Sequence, residues 1–323
     1  MMILVIGGAG YIGSHMVKEL ISHGREVVIL DNLTTGHRES VPDGEFIKGD
    51  LGDENLLQRI FKTYPIHTVM HFAAFSLVGE SVQFPLKYFE NNVSKTITLL
   101  KVMLEHGIKR FIFSSSASVY GEPEEIPITE NCSVRPASPY GASKLMVEDI
   151  LQECDKAHGL RYISLRYFNA AGADETGTIG ENHNPESHLI PLVLKAAKGE
   201  KKNITVFGTD YPTKDGTCIR DYIHVTDLAQ AHLLAMDVLE NGESSNIYNL
   251  GNSHGYSVNE VIETARQVTG LQIPVKEGPR RPGDPAILVA SSEKIKKELG
   301  WQPRYQDLKT IVKTAWKWHS NSY

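Results

Sequence analysis

Met2-Ile-Leu-Val-Ile-Gly-Gly-Ala-Gly-Tyr-Ile-Gly-Ser14 opens the chain with a short apolar run, followed by four glycines in seven positions. Ile3–Ile6 reads as a strand buried on both faces, and the window near 12–23 has helical spacing. Gly8, Gly10 and Gly13 satisfy G-x-G-x-x-G, and Gly7, Gly10 and Gly13 satisfy G-x-x-G-x-x-G. Glycines there permit a tight turn, let the backbone approach a pyrophosphate, and let helix and strand pack closely. The helix start then offers free N–H groups and the positive end of its dipole to phosphates.

Such a string gains weight from an acid placed downstream of it. Asp31 ends the second apolar run (Val27–Leu30), eighteen residues past Gly13, where a carboxylate accepts from a ribose 2′-hydroxyl. Asn32 and Leu33 come next, with no arginine to pair with a 2′-phosphate, which favours NAD over NADP. Further strands are expected at Thr68–Phe72, Arg110–Phe113 and Tyr162–Arg166, with helical windows near 53–62, 80–105 and 139–158. Strand and helix alternating in this way predict an α/β protein with a Rossmann-type, doubly wound parallel sheet.

After Gly172 the rhythm changes. GADETGTIGENHNPESH is a polar, glycine-containing segment and reads as a binding loop, followed by a helix at Leu189–Lys198. Strand and helix return in YIHVTDLAQAHLLAMDVL, and Asn246–Leu250 reads as one more strand. The expected organisation is a nucleotide-binding domain of residues 1–170 plus about 221–250, and a smaller mixed α/β substrate-binding lobe of about 171–220 and 251–323.

Bulk properties narrow the function. The chain has 323 residues, 41% hydrophobic and 22% charged, the balance of an ordinary globular protein. A net charge of −6 gives no electrostatic reason to expect nucleic acid or an anionic membrane surface as partner. No run of eighteen apolar residues occurs, and the amino terminus lacks the basic region of a targeting signal. Cys132, Cys154 and Cys218 are too dispersed for a disulfide framework or a cysteine metal site, so no metal is expected and the expected compartment is the cytoplasm.

Ser138-Pro-Tyr-Gly-Ala-Ser-Lys144 places a phenol and an ammonium four residues apart at the start of a helical window, hence on one face. A free tyrosine has a pKa of about 10, and a neighbouring cation favours its phenolate. Such a tyrosine can take a proton from an alcohol while hydride leaves the same carbon. Y-x-x-x-K alone is more often mere packing. Phe113-Ser-Ser-Ser-Ala-Ser-Val-Tyr-Gly121 shifts the balance, because it puts hydroxyls at the carboxyl end of a strand, where open parallel sheets bind ligands.

Together with VGESVQ, ENNV, LRYFNAAGA, HLIPLVL, GTDYPTKDGTCIRDYIHV and RRPGDPA, these strings resemble the extended short-chain dehydrogenase/reductase family. Within it the resemblance is to the sugar-nucleotide 4-epimerases that act on UDP-glucose and UDP-galactose, and it runs along nearly the whole chain. It implies oxidation at sugar carbon 4 by bound NAD, rotation of the 4-keto sugar in the pocket, and return of hydride to the opposite face. It also implies a homodimer formed through helices near 80–105 and 139–158. Tyr140 would be the base, Lys144 the cation that lowers its pKa and holds the nicotinamide ribose, and Ser116 the bridging hydroxyl.

Implied cofactor contacts are Gly7, Gly10, Tyr11, Ile12, Gly13, Asp31, Asn32, Leu33, Thr34, Thr35, Gly36, Asp50, Leu51, Phe72, Ala73, Ala74, Asn91, Ser114 and Phe168, besides Tyr140 and Lys144. Implied substrate contacts are Ser116, Tyr140, Asn169, Leu189, Phe207, Arg220, Arg281 and Asp284. Arginines suit a diphosphate through paired N–H donors, and Phe207 beside Gly208 suits a uracil slot. Ser76 and His188 depart from the pattern, standing where many of these epimerases have lysine and asparagine. Leu288 stands where a tyrosine, in some of them, blocks N-acetylated sugars, so activity on the N-acetylated pair is expected.

Three other readings stay in view. Sugar-nucleotide dehydratases and decarboxylases need added acid–base groups, typically carboxylates before the VYG string, whereas this chain has Ser116, Ala117 and Ser118. A UDP-uronic-acid 4-epimerase differs from the first reading by one substituent at carbon 6. A non-catalytic NAD-binding regulatory protein is disfavoured by the intact Ser116, Tyr140 and Lys144.

Overall fold

A computed structural model describes residues 1–281 and 284–321; Pro282 and Gly283, in the RRPGDPA string, lie outside it, as do Ser322 and Tyr323. Its centre is a seven-stranded parallel sheet. The strands are β1 (Met2–Ile6), β2 (Val27–Asp31), β3 (Glu45–Lys48), β4 (Ile66–His71), β5 (Arg110–Ser116), β6 (Arg161–Tyr167) and, later in the chain, Asn246–Leu250. They run in the order Asn246–Leu250, β6, β5, β4, β1, β2, β3, and every neighbouring pair is parallel. The order turns back at β1, between β2 and β4, so a crevice opens beyond the carboxyl ends there.

Both faces are covered, which is why these strands are apolar without alternation: Ile3, Leu4 and Val5 are fully buried. One core cluster joins Ile3 and Val5 to Met16, Leu20, Leu228 and Met236; the other joins Leu4 and Ile6 to Leu57, Leu99, Val147 and Leu151. Helices at Tyr11–Ser22 and Val225–Glu240 therefore pack on one face, and those at Glu54–Thr63, Lys95–Glu105 and Pro139–His158 on the other.

Two differences from the sequence reading stand out. The window 80–105 is three helices, Val78–Gln83, Pro85–Phe89 and Lys95–Glu105, with a π-helical turn over 90–94. Proline at position 85 has no N–H to donate and opens a new helix, while Phe84 leaves helical geometry at φ −128°. The second is β3: Glu45–Lys48 is too short and too polar to read as a buried strand, and it pairs only with β2, at the sheet edge.

The remaining strands are β7 (Asn169–Ala171), β8 (Ile204–Phe207), β9 (Ile219–His224), β10 (Asn246–Leu250), β11 (Gly255–Ser257), β12 (Val275–Gly278) and β13 (Ile287–Leu288). β9 pairs with β7, β11 and β13, and β8 with β12. A boundary at 221 thus falls inside β9, whose partners all belong to the smaller sheet. A third apolar cluster packs the helices Leu189–Ala197, Val258–Thr269 and Leu308–Asn321 behind it.

Candidate functional site

The glycine turn is built for close approach. Gly7 has φ +75°, and a Cβ there would lie 2.5 Å from the Ala73 amide nitrogen. A Cβ on Gly13 would lie 2.2 Å from the Gly7 carbonyl oxygen. The helix from Tyr11 starts at Gly10 with no side-chain cap, so its first N–H groups stay available to an anion. Asp31 accepts from Ala9 N–H at 2.9 Å and Leu33 N–H at 2.8 Å, which aims its carboxylate into the recess beside the turn. Burial pushes the Asp31 carboxyl above its ordinary pKa, and these two amides oppose it.

A main cleft of about 380 Å³ runs over Gly7, Gly10, Tyr11, Ile12, Gly13, Thr34, Thr35, Phe72, Ala74, Ser114, Ser116, Tyr140, Lys144, Phe168 and Asn169. A neighbouring recess of about 90 Å³ is lined by Asp31, Asn32, Asp50, Leu51, Ala73 and Asn91. Asp50 is fixed there by Lys95 at 2.9 Å and Asn32 at 3.0 Å. Leu33 and Gly36 line neither space: the Leu33 side chain packs on the core, and Gly36 sits tight against Ala9. The turn, the uncapped helix and the acid fit a dinucleotide such as NAD, with Asp31 in the smaller recess to receive a ribose.

The reactive end lies where β5 stops. Ser116 closes that strand and caps the next short turn, accepting from Ser118 N–H at 3.1 Å. Ser138 caps the helix Pro139–His158 by accepting from Gly141 N–H at 3.2 Å, and proline takes its first position. Tyr140 and Lys144 therefore stand one turn apart over the cleft. Burial raises the Tyr140 phenol, and a hydrogen bond with Ser116 works against that.

The Lys144 ammonium is 6.0 Å from the Tyr140 ring centre, donates to the Ser114 carbonyl at 2.7 Å and lies over the Phe113 ring. Burial pulls the Lys144 pKa down to about 7, and Glu148 opposes this. For the tyrosine, then, burial is the largest influence in this structure.

A buried network beneath these groups was not anticipated from sequence. Glu148, one turn beyond Lys144, accepts from Ser115 at 2.5 Å and from Arg166 at 2.6 and 3.0 Å. Arg166 also donates to the Tyr120 hydroxyl at 2.8 Å, which donates to Asn249 at 2.7 Å. The i,i+4 spacing of Lys144 and Glu148 in SPYGASKLMVE was the available signal, but nothing local shows that Arg166 faces them.

The expected substrate residues divide. Asn169 lines the main cleft and donates to the Asp221 carbonyl at 2.8 Å. Leu189, Phe207, Arg220, Arg281 and Asp284 do not line it. Arg281 stacks 4.1 Å over Phe207, and Arg220 is ion-paired with Asp284. Arg220 lies near the start of β9, whose last three residues pair with β7 at the cleft wall, and Leu189 packs partly into the third core cluster. Arg220 is on β9, Phe207 ends β8, Leu189 opens a helix, and Arg281 and Asp284 lie between β12 and β13, none of them on the walls around Tyr140. Ser76 and His188, the two departures, both line the cleft, as do Tyr88, Tyr167 and His183.

A doubly wound parallel sheet with a glycine turn, a strand-end acid and a serine–tyrosine–lysine set defines the class: a dinucleotide-dependent enzyme of the Rossmann type. The model of the NAD dependent epimerase/dehydratase family matches residues 3–251, and the chain belongs to that family and to its UDP-glucose 4-epimerase branch. UDP-glucose 4-epimerase of Halalkalibacterium halodurans is 56% identical, over 99% of this chain and 96% of the relative. The crystal structure of UDP-glucose 4-epimerase from Brucella ovis in complex with NAD is 46% identical, with TM-score 0.95 over 97% of each chain. That of UDP-glucose 4-epimerase from Bifidobacterium longum in complex with NAD+ and UDP is 40% identical, with TM-score 0.94 over 100% of this chain and 99% of the other.

Proposed function

We propose that this chain interconverts UDP-glucose and UDP-galactose by epimerisation at carbon 4, with NAD as its bound cofactor. The observation that carries the reading is that Ser116, Tyr140 and Lys144, the last two one turn apart, line the same cleft as the glycine turn. NAD, when bound, supplies a cationic ring that favours the phenolate and an acceptor that takes hydride from carbon 4 and returns it to the other face. Tyr140 takes the proton of the carbon 4 hydroxyl, with Ser116 hydrogen-bonded to the same oxygen, and gives it back after the 4-keto sugar has turned over. Lys144, tied to the Ser114 carbonyl, orients the cofactor's ribose and adds positive potential beside the phenol. The glycine turn and the start of the first helix take the pyrophosphate, and Asp31 the adenosine ribose.

Arg220 and Arg281, with Phe207, would receive the uridine diphosphate. Their place on and beside β8 and β9, away from Tyr140, suits a firmly held nucleotide and a hexose free to rotate near Tyr140. The division into a nucleotide-binding domain and a substrate lobe is supported by the separate sheets. Leu288 packs on the same small core cluster as Phe168, a cleft residue, and its modest size would leave room for an N-acetyl group, so UDP-N-acetylglucosamine is a second substrate of this reading.

A homodimer is part of the proposal: Val82, Phe84, Leu86, Ile97 and Met146 are exposed on the helices between 78 and 158. A cytoplasmic site of action is supported by three unpaired cysteines, and no helix among the described residues is long and apolar enough to cross a membrane. The test is to purify the chain, denature a portion and identify the nucleotide released, then assay UDP-galactose conversion without added NAD. Released NAD and formation of UDP-glucose are expected; a chain that carries NAD and converts neither sugar overturns the reading.

A further inference from the structure

The loop between the two sheets gathers four metal-binding side chains that the reaction above does not use. Glu181, His183, Glu186 and His188 each offer one ligand atom, and these atoms lie within 4.8 Å of one another. Both imidazoles turn Nδ1 toward one carboxylate oxygen, Glu181 Oε1, His183 at 3.1 Å and His188 in close contact. The Glu181 side chain is 3% exposed.

A second observation points to a missing ligand. The Glu186 side chain is also 3% exposed, and its Oε2 is buried with no hydrogen-bond partner among the described residues, 3.9 Å from His183 Nδ1. A buried carboxylate oxygen left unsatisfied costs free energy that a cation removes.

We propose that these four residues bind one divalent transition-metal ion, zinc being the best fit. Two imidazole nitrogens and two carboxylate oxygens form a borderline donor set, and the two negative charges neutralise the ion. In a tetrahedral zinc site, ligand atoms stand about 3.3 Å apart, so the cluster closes by small side-chain rotations alone. With four protein ligands the site is structural, and it clasps the loop on the cleft wall. His183 meets the Tyr11 ring edge-on at 6.2 Å, and both line the cleft, so the ion fixes one boundary of the ligand space. The loop is already anchored beside it, through the Glu181 carbonyl to Trp318 and the Asn182 carbonyl to His37.

The experiment uses the full chain, stripped with a chelator and titrated with zinc alone, with metal content measured by mass spectrometry. One zinc per chain is expected, with a dissociation constant below about 1 μM. His183→Ala/His188→Ala should weaken it at least about 100-fold, as loss of two ligands requires. Glu186→Gln, which keeps the side-chain shape, should weaken it less, and zinc should raise the thermal midpoint of the wild type and not of the double variant. Cobalt in place of zinc should give the strong visible absorption of a four-coordinate site. Zinc bound no better than by the double variant, or cobalt keeping the weak spectrum of the aquo ion, overturns the proposal. If the double variant fails to fold, the cobalt spectra of wild type and Glu186→Gln decide alone.

Discussion

The floor of the cleft and the arginines on and beside β8 and β9 both hold charge, but they hold it in opposite ways. Under Tyr140, Glu148 and Arg166 are 3% and 5% exposed, joined by two hydrogen bonds, and their other partners, Ser115 and Tyr120, are buried as well. Beside β8 and β9, Arg220 pairs with an Asp284 that is 30% exposed, and Arg280 with an Asp210 that is 74% exposed. The first arrangement keeps its geometry with or without a ligand, as an enzyme needs where atoms react. The second can exchange its carboxylates for phosphate oxygens, as a diphosphate-binding surface needs. Reaction geometry is preset, and substrate grip is gained by exchanging partners.

The strongest challenge to this contrast is Tyr140→Phe. It removes the one group placed to move the proton, and kcat should fall about 10²- to 10⁴-fold with the thermal midpoint little changed. An active variant would leave the preset floor without a purpose.

Next is Glu148→Ala, which strands the Arg166 guanidinium in the core. A loss of about 3–5 kcal/mol is expected from urea unfolding. A loss below about 1 kcal/mol would put this pair on a level with the exposed ones.

Arg220→Gln probes the other side. With charge-assisted hydrogen bonds worth about 1.5–3 kcal/mol, KM for the UDP-sugar should rise about 10- to 100-fold while kcat and stability barely move. A fall in kcat alone would assign Arg220 to the reacting end instead.

The smallest effect concerns Lys144, whose pKa burial lowers to about 7. Between that value and the unfolded lysine's, the unfolded chain binds more protons than the native one, so this group's contribution to stability rises with pH. For the nucleotide-free chain the rise is about 2 kcal/mol from pH 7 to pH 9, and Lys144→Met should flatten it in denaturant titrations. An unchanged slope would mean that the ammonium is better solvated than its 3% exposure implies.

How much of this was readable in advance differs between the same two regions. The first strand, its glycine turn, the helix, Asp31 and the Ser116–Tyr140–Lys144 set all lie in short contiguous strings, and the parallel sheet places them at one end by topology. In the loop, Glu181, His183, Glu186 and His188 are just as close in sequence, yet they read only as part of a polar binding loop, because the pattern does not say which way each side chain turns. Phe207, Arg220, Arg281 and Asp284 are spread over 78 positions, and only the resemblance joined them.

By itself the sequence determined what depends on neighbours along the chain. Apolar runs of strand length, glycines where a Cβ would meet backbone, a capped helix start and a phenol one turn from an ammonium are local, since dihedral preferences and helical spacing act over a few residues. Tertiary structure decided which distant charges meet: that Arg166 lies under Glu148, that Arg220 takes Asp284, and that burial is the largest influence on the Tyr140 phenol. Coulomb attraction and desolvation depend on separation and depth in space, and neither quantity is written in the order of the residues.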